Sequence, residues 1–182
     1  PYRLVTRDLL QAVSPLQNSP EPVFSVKMRA IPAAETLSRV IVLENVQDPG
    51  NVGTVLRSAD AFGIDLVVLC GACADPYHPK TVRATMGAIF RERILHCTAE
   101  EARVLADRNG LKLYGAALSE RAADIRTLPV KDAVVAIGSE GQGLSAELLK
   151  QCDGELIIPM SPGSESLNAA VAAAIVLWEM AR

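Results

Sequence analysis

Short aliphatic runs alternate with amphipathic stretches along most of the chain. The aliphatic runs, rich in Val, Ile and Leu, predict buried β-strands at residues 40–43, 66–69, 111–117, 133–137 and 156–158. Apolar residues at helical spacing predict α-helices at residues 51–62, from residue 80 onward, at 98–109 and at 166–180. Strands and helices in alternation predict an α/β fold, in which a parallel sheet is covered by helices on both faces.

Capping residues mark several of the predicted helix ends. Asn51 is the predicted N-cap of the first of these helices, and Gly63 is predicted to end it. Thr98, with Glu101 three positions later, is typical of a capping box. Ser166 is the predicted N-cap of the last helix.

The first 38 residues do not follow this alternation. Residues 6–13 predict a short helix, residues 23–28 predict a strand, and residues 29–38 have the character of a linker. A lone helix and a lone strand cannot bury themselves. We therefore expect residues 1–38 to be the end of a truncated N-terminal domain, and residues 39–182 to form the main domain.

Three polar loops follow predicted strands, at residues 44–51, 138–145 and 159–168. Parallel strands end at the same edge of a sheet, and ligands in such folds bind beyond that edge. The coincidence of the three loops is the strongest functional signal in the chain. A tight turn between strand and helix is an equally good interpretation of the glycine-rich segment 138–143 taken alone.

Each loop carries polar side chains suited to a ligand. The Asn51 amide can face a ligand as well as cap a helix, and Arg57 points away from the buried face of the same helix. Glu140, beside three glycines, can anchor ligand hydroxyls or fix a neighbouring loop. Asn168 is polar at the mouth of an otherwise apolar helix, which capping by Ser166 does not explain. For Arg57 the alternative is a solvated side chain.

The charge distribution adds a candidate surface. The chain is acidic overall, with a net charge of -3 and a pI of about 5.4, which argues against binding nucleic acid by bulk positive charge. Within the acidic main domain, a local basic island contains only one acidic residue, Glu92. Its members are Lys80, Arg83, Arg91 and Arg93.

The cysteines and the apolar runs indicate the cellular environment that the chain is suited to. The four cysteines do not form the pattern of a disulfide framework, which favours a reducing, cytoplasmic compartment. The single C-x-x-C at residues 70–73 has no second pair or nearby histidine, so we expect no metal site. The longest apolar run, residues 169–177, is shorter than the ~20 residues that a membrane span needs.

Together, the three loops resemble the SpoU-type (TrmH-like) methyltransferases of the SPOUT superfamily. Their patterns are N-x-x-D-P-x-N-x-G-x-x-x-R-x-A at residues 45–59, G-x-E-x-x-G-L-S at 138–145, and I-P-M at 158–160 followed by S-L-N at 166–168. Residues 83–88 (RATMGA) are similar to a further stretch of the family, with Thr85 in place of serine. Three motifs in order, all at strand ends, make the resemblance specific across residues 40–182.

The resemblance implies an enzyme that transfers a methyl group from S-adenosylmethionine to a ribose 2′-hydroxyl of tRNA or ribosomal RNA. It implies a SPOUT-type fold whose C-terminal part forms a deep trefoil knot, an exception to the rule against knotted chains. It also implies a homodimer with the site shared across the interface. Residues 1–38 would then be the end of a small RNA-binding domain.

Motif by motif, the resemblance assigns residues to roles. The implied catalytic set is Arg57, Asn51, Glu140, Ser166 and Asn168. The implied cofactor-binding set is Gly138, Gly143, Ile158, Met160 and Leu167. The basic island is the expected RNA-binding surface. Family proposals make the arginine a base, but a guanidinium holds its proton above pH ~12. We interpret Arg57 instead as an electrostatic stabiliser of the developing alkoxide and a phosphate clamp.

Two other functions fit parts of the pattern. A non-catalytic RNA-binding or assembly protein that retains the SPOUT fold is the main alternative, and the unaltered catalytic set argues against it. A nucleotide-dependent doubly wound enzyme is disfavoured because the chain has neither a G-x-G-x-x-G pattern nor a Walker A lysine.

Overall fold

The computed structural model describes residues 2–14, 22–27, 36–161, 163 and 166–182. It divides into two compact units, Pro1–Ala30 and Ile31–Arg182. In the first unit, α1 (Arg7–Val13) confirms the predicted helix. The strand predicted at residues 23–28 is wrong as far as residue 27, and Met28 lies outside the described residues. Residues 22–27 are exposed and are not part of a strand, and a strand alone is not stable.

The second unit is built on one seven-stranded sheet, in which every pairing is parallel. The strands are β1 (Arg39–Glu44), β2 (Leu66–Cys70), β3 (Ile94–Cys97), β4 (Lys112–Ala116), β5 (Ala123–Asp124), β6 (Ala133–Ile137) and β7 (Gly154–Ile157). Their order across the sheet is β3-β2-β1-β6-β4-β7-β5. The predicted parallel α/β sheet is therefore confirmed.

Helices surround this sheet. They are α2 (Pro49–Phe62), α3 (Pro79–Ala84), α4 (Ala99–Asn109), α5 (Ala146–Gln151) and α6 (Ala169–Ala181), with short 3-10 turns at Ala88–Phe90 and Ile125–Thr127. The sequence pattern did not predict α5 or β5, and the two residues of β5 are too few to show a period. In the described part of the chain, no helix is long and apolar enough to cross a membrane.

The central strands are buried on both faces, which explains their continuous aliphatic sequences. Along β1, Ile41 and Leu43 belong to one core cluster, together with residues of α2 and α6. Val40 and Val42 belong to a second cluster, together with residues of α4 and α5. Successive side chains of a strand point to opposite faces, so helices cover both sides of the sheet.

Two helix caps differ from the prediction. Asp48, and not Asn51, caps α2: its Oδ1 accepts a hydrogen bond from the Asn51 backbone N at 2.8 Å, and Pro49 occupies the first helical turn. Asn168, and not Ser166, caps α6, because its Oδ1 accepts from two backbone N–H groups of the first turn. These shifts matter for the site, because they release the Asn51 side chain for another partner.

Two other predicted helix ends are confirmed. Gly63 ends α2 with a left-handed φ of 65°, which glycine adopts without strain. The Thr98 hydroxyl and the Glu101 carboxylate cap α4 reciprocally, as the capping box requires.

Candidate active site

The loops that follow β1, β6 and β7 meet at one edge of the sheet. β1 and β6 are adjacent, and Leu43 lies beside Ile137 in the parallel register, so their loops begin side by side. The loop after β7 leads to the N-terminus of α6, a helix that packs against both α2 and β6. The strand order thus brings the first and last motifs to the middle one.

Glu140 joins the three loops. Its Oε1 accepts hydrogen bonds from Asn51 Nδ2 at 2.9 Å, from the Ala169 backbone N at 3.1 Å, and from Asn168 Nδ2. Asn168 Nδ2 also lies 3.2 Å from Asn51 Oδ1. The carboxylate therefore sits between the N-termini of α2 and α6, where helix dipoles favour negative charge. Its Oε2 makes no hydrogen bond within the residues described.

A cavity of about 710 Å³ opens beside Glu140. All five residues predicted to bind a cofactor line it: Gly138, Gly143, Ile158, Met160 and Leu167. Ser166 also lines this cavity. Its remaining walls are mostly aliphatic, and Arg121, Glu140 and Glu155 supply charge. A volume in this range suits a small-molecule ligand.

Sequence reasoning missed one wall of this cavity. Ala116 at the end of β4, and residues 117–119 and Arg121 in the loop after it, line it as well. β4 lies directly beside β6 in the sheet, so its loop emerges next to the 138–143 turn. The sequence shows that this loop follows a predicted strand. It does not show that the strand lies beside β6, which is what brings the loop to the cavity.

The glycines of the second motif build a tight turn. A Cβ at Gly138 would lie 2.0 Å from the backbone carbon of Gly143, so no side chain fits there. Gly143 has a left-handed φ of 66°, and its N donates to the Ser139 carbonyl at 2.9 Å. The tight turn that is one interpretation of the 138–143 sequence is therefore present in the structure.

Buried Glu44 holds the end of the same loop. It accepts hydrogen bonds at 2.7 Å from both the backbone N and the hydroxyl of Ser145. The Ser145 hydroxyl in turn accepts from Leu148 N at 3.1 Å and so caps α5. The serine of the G-x-E-x-x-G-L-S motif therefore has a structural role.

A second cavity, of about 460 Å³, adjoins the first. It is lined by residues 45–47, 51, 139–142 and 169. The two cavities share the 139–142 turn and Ala169, and Glu140 lines both. Asn51 is at the second cavity, and Asn168 reaches the wall between the two through Glu140.

Arg57 does not reach either cavity of its own chain. It is exposed on the outer face of α2, as predicted, and makes no ion pair with the residues described. It lies six residues beyond Asn51, which is about 9 Å along a helix. The structure therefore brings together four residues of the implied catalytic set and leaves Arg57 apart.

The basic island lies next to α2. Gly53 allows α3 to pack closely, because a Cβ at this position would lie 2.5 Å from Ala84 Cβ. Lys80 and Arg83 are exposed on α3 without an ion pair in the described part of the chain. Arg91 pairs with Asp60 at 2.6 Å, and its hydrogen bond lowers the Asp60 pKa. Arg93 is half-buried.

The cysteines are free thiols and show no reactive environment. Burial raises the pKa of Cys70 to about 11 and that of Cys97 to about 12. The Cys73 thiol donates to the Leu43 carbonyl at 3.2 Å. Among the residues described, no group of His, Cys, Asp and Glu is arranged to hold a metal ion.

Comparison with known proteins agrees with this geometry. The chain is 33% identical, over 97% of its length and 71% of the relative, to 23S rRNA (guanosine(2553)-2′-O)-methyltransferase RlmP of Bacillus subtilis. It resembles the structure of an AdoMet-bound rRNA methyltransferase from Sinorhizobium meliloti (33% identity, TM-score 0.74, 80% of this chain and 56% of that one). It also resembles the SpoU methyltransferase AviRb from Streptomyces viridochromogenes in complex with AdoMet (27% identity, TM-score 0.80, 98% and 71%).

The matched segment coincides with the sheet and its loops. Residues 38–178 match the sequence profile of the SpoU rRNA Methylase family. This range begins one residue before β1 and ends within α6, so it includes all three motif loops and both cavities. The chain therefore belongs to the SpoU rRNA methylase family.

Proposed function

We propose that this chain transfers a methyl group from S-adenosylmethionine to a ribose 2′-hydroxyl in ribosomal or transfer RNA. The supporting observation is the 710 Å³ cavity, which the five expected cofactor residues line together. Two relatives with this fold are AdoMet-bound methyltransferases, and a third methylates a guanosine 2′-oxygen of 23S rRNA.

The walls of the large cavity suit the proposed cofactor. Aliphatic side chains such as Leu144 and Leu156 offer an apolar surface for an adenosine ring, and the 138–143 turn offers backbone groups. The carboxylates of Glu140 and Glu155 favour a cationic ligand, which S-adenosylmethionine is. When bound, the cofactor supplies an activated methyl group on a sulfonium, so positioning of the acceptor hydroxyl is the main task of the protein.

We further propose that the chain acts as a homodimer and that Arg57 serves the cavity of the partner subunit. The outward face of α6 carries Val171 and Trp178, which are 48% and 55% exposed, and Trp178 contacts Phe62 of α2 edge-to-face. An apolar face of this kind is suited to subunit contact. In that position Arg57 would stabilise the alkoxide that develops on the ribose, with Asn51, Ser166 and Asn168 as the other catalytic-set members.

Mixed dimers test this arrangement. Arg57→Ala and Glu140→Ala should each be inactive alone, whereas their co-expression should restore about a quarter of wild-type activity. Random pairing makes half of the dimers mixed, and each mixed dimer has one intact site. If the mixture stays inactive while both variants remain folded, Arg57 does not act across an interface.

The remaining assignments are proposals of the same kind. We propose that the C-terminal segment is knotted, because the chain runs from β6 out to β7 and back to α6 against α2 and β6. Residues 1–38 would belong to an RNA-binding domain, and residues 39–182 would form the catalytic domain. Lys80 and Arg83, which make no ion pair with the residues described, would contribute positive charge to the proposed RNA surface. Free thiols throughout support a cytoplasmic location.

Labelled S-adenosylmethionine and total RNA test the activity. After digestion to nucleosides, label should appear in 2′-O-methylated nucleosides, and label on bases alone would refute the reaction class. Calorimetry with S-adenosylmethionine tests the alternative separately. A folded dimer that does not bind the cofactor would support the non-catalytic RNA-binding protein.

A further inference from the structure

We propose that the smaller cavity binds the base of the nucleotide that accepts the methyl group, and that the side chains of Gln47 and Gln142 recognise it. The inference rests on the proposed function, because it takes the larger cavity as the cofactor site. It assigns a role to residues that belong to none of the catalytic, cofactor-binding or basic sets described above.

The position of the smaller cavity is the first argument. The two cavities share a wall formed by the 139–142 turn and Ala169, which line both. Methyl transfer requires the acceptor oxygen to approach the donor carbon to about 3–3.5 Å. A nucleotide whose base occupies the smaller cavity has its ribose at this shared wall, next to Glu140.

The chemistry of the lining is the second argument. The described residues that line the smaller cavity include no Lys or Arg, so the cavity does not suit a phosphate. They include four side-chain amides, at Asn45, Gln47, Asn51 and Gln142. An amide both donates and accepts hydrogen bonds, which matches the mixed donors and acceptors on the edge of a nucleobase.

Two of the four amides are committed to the protein. Asn45 Oδ1 accepts from the Ala72 backbone N at 2.8 Å, and Asn51 Nδ2 donates to Glu140. The side chains of Gln47 and Gln142 are exposed and make no hydrogen bond within the part of the chain described. They are therefore the groups that a base can engage without breaking an existing contact.

The frame around these two glutamines is held in place. Asn45 adopts a left-handed φ of 55° while its side chain joins the loop after β1 to the loop after β2. The Gln142 backbone N donates to the Ser139 hydroxyl at 3.4 Å within the tight turn. Recognition groups on a fixed backbone lose less freedom on binding than groups on a mobile one.

Base-replaced RNA tests the proposal. The substrate is an RNA oligonucleotide that contains the nucleotide methylated by the wild type, compared with the same RNA carrying another base there. Gln47→Ala and Gln142→Ala should each raise KM for the cognate RNA about tenfold and reduce discrimination between the two RNAs. The Kd for S-adenosylmethionine should not change in Gln47→Ala, because Gln47 lines only the smaller cavity. Gln151→Ala, which removes the same amide from a residue lining neither cavity, is the control. Variants that keep wild-type discrimination would overturn the proposal.

A second readout does not depend on activity. In NMR spectra of the full chain with S-adenosylhomocysteine, free nucleosides should shift the side-chain amide signals of Gln47 and Gln142 but not that of Gln151. Active protein with no shift at either glutamine would also overturn the proposal. If ribose methylation is never detected but the two amides still shift, the proposed function fails and the base-binding cavity stands.

Discussion

Glu140 offers the sharpest test of how the site is held together. All three of its hydrogen bonds end on the same oxygen, Oε1. Glutamine keeps an oxygen in that place, whereas alanine removes it. The pair Glu140→Gln and Glu140→Ala therefore separates the hydrogen bonds from the charge.

The expected magnitudes follow from these contacts. Glu140→Gln loses a negative charge beside two helix N-termini, which contributes about 1 kcal/mol to the free energy of unfolding. Glu140→Ala also leaves Asn51, Asn168 and the Ala169 N–H without their acceptor. At about 1 kcal/mol for each solvent-accessible bond, the three bonds add about 3 kcal/mol, so Glu140→Ala loses about 4 kcal/mol in total. For a chain of this length, Tm should fall by about 3 °C in Glu140→Gln and by about 12 °C in Glu140→Ala.

Thermal unfolding and calorimetry measure both effects. The Kd for S-adenosylmethionine should rise strongly in Glu140→Ala, because α6 and the 138–143 turn both line the larger cavity, and much less in Glu140→Gln. Glu120→Ala is the control, since Glu120 is an exposed glutamate that lines neither cavity. Equal stability losses in Glu140→Gln and Glu140→Ala would show that charge, and not the shared oxygen, joins the helices.

Three other predictions concern stability and reactivity. Burial, with Asp60 nearby, raises the Glu92 pKa from 4.5 to about 8. Between these two pH values, the free energy of unfolding of the wild type should therefore fall, relative to that of Glu92→Gln, by about 1.4 kcal/mol per pH unit. If the difference in urea midpoint between the two proteins is the same at pH 5 and pH 8, this prediction is wrong. Gly53→Ala should lower the free energy of unfolding by about 1–3 kcal/mol, because the added Cβ would clash with α3. Gly141→Ala, where a Cβ meets open space, should leave the free energy of unfolding unchanged in chemical denaturation. Cys70 and Cys97 should react with iodoacetamide at pH 8 more than about tenfold more slowly than in urea, and equal rates would refute their protonated state.

The parallel sheet was predictable because strands that are buried on both faces have continuous aliphatic sequences. Residues 40–43 of β1 and all of β6 are aliphatic, and no other common element produces such short continuous runs between amphipathic helices. The strand predicted at residues 23–28 has a similar mixture of apolar residues, but its described residues, 23–27, do not form a strand. The composition of a segment shows whether it can form a strand, but strand formation also requires a neighbouring strand from elsewhere in the chain.

The site was predictable at its strand ends and less so elsewhere. The cofactor set was implied by the family resemblance of the loops at the sheet edge, whereas the wall after β4 depends on β4 lying beside β6, which is a long-range fact. The caps were misplaced because Asp48 and Asn51, like Ser166 and Asn168, are all competent capping residues within a few positions of each other. The side chains of Asn51 and Asn168 donate hydrogen bonds to Glu140, which is 89 and 28 residues away in the sequence, so these long-range contacts determine their roles.

Exposed Arg and Lys side chains that make no ion pair with the described residues determine where this acidic chain can bind RNA. Arg57, Lys80 and Arg83 are exposed and unpaired within the described residues, on two helices that pack together, whereas Asp60 already neutralises Arg91. Three phosphate contacts give a slope of log K against log salt of about −2 for single-stranded RNA, and about −4 if two subunits contribute. Arg83→Ala should reduce the slope measured by fluorescence anisotropy by about 0.7 per subunit, and Arg91→Ala should leave it nearly unchanged. An equal effect of both variants would show that the ion pair with Asp60 opens when RNA binds.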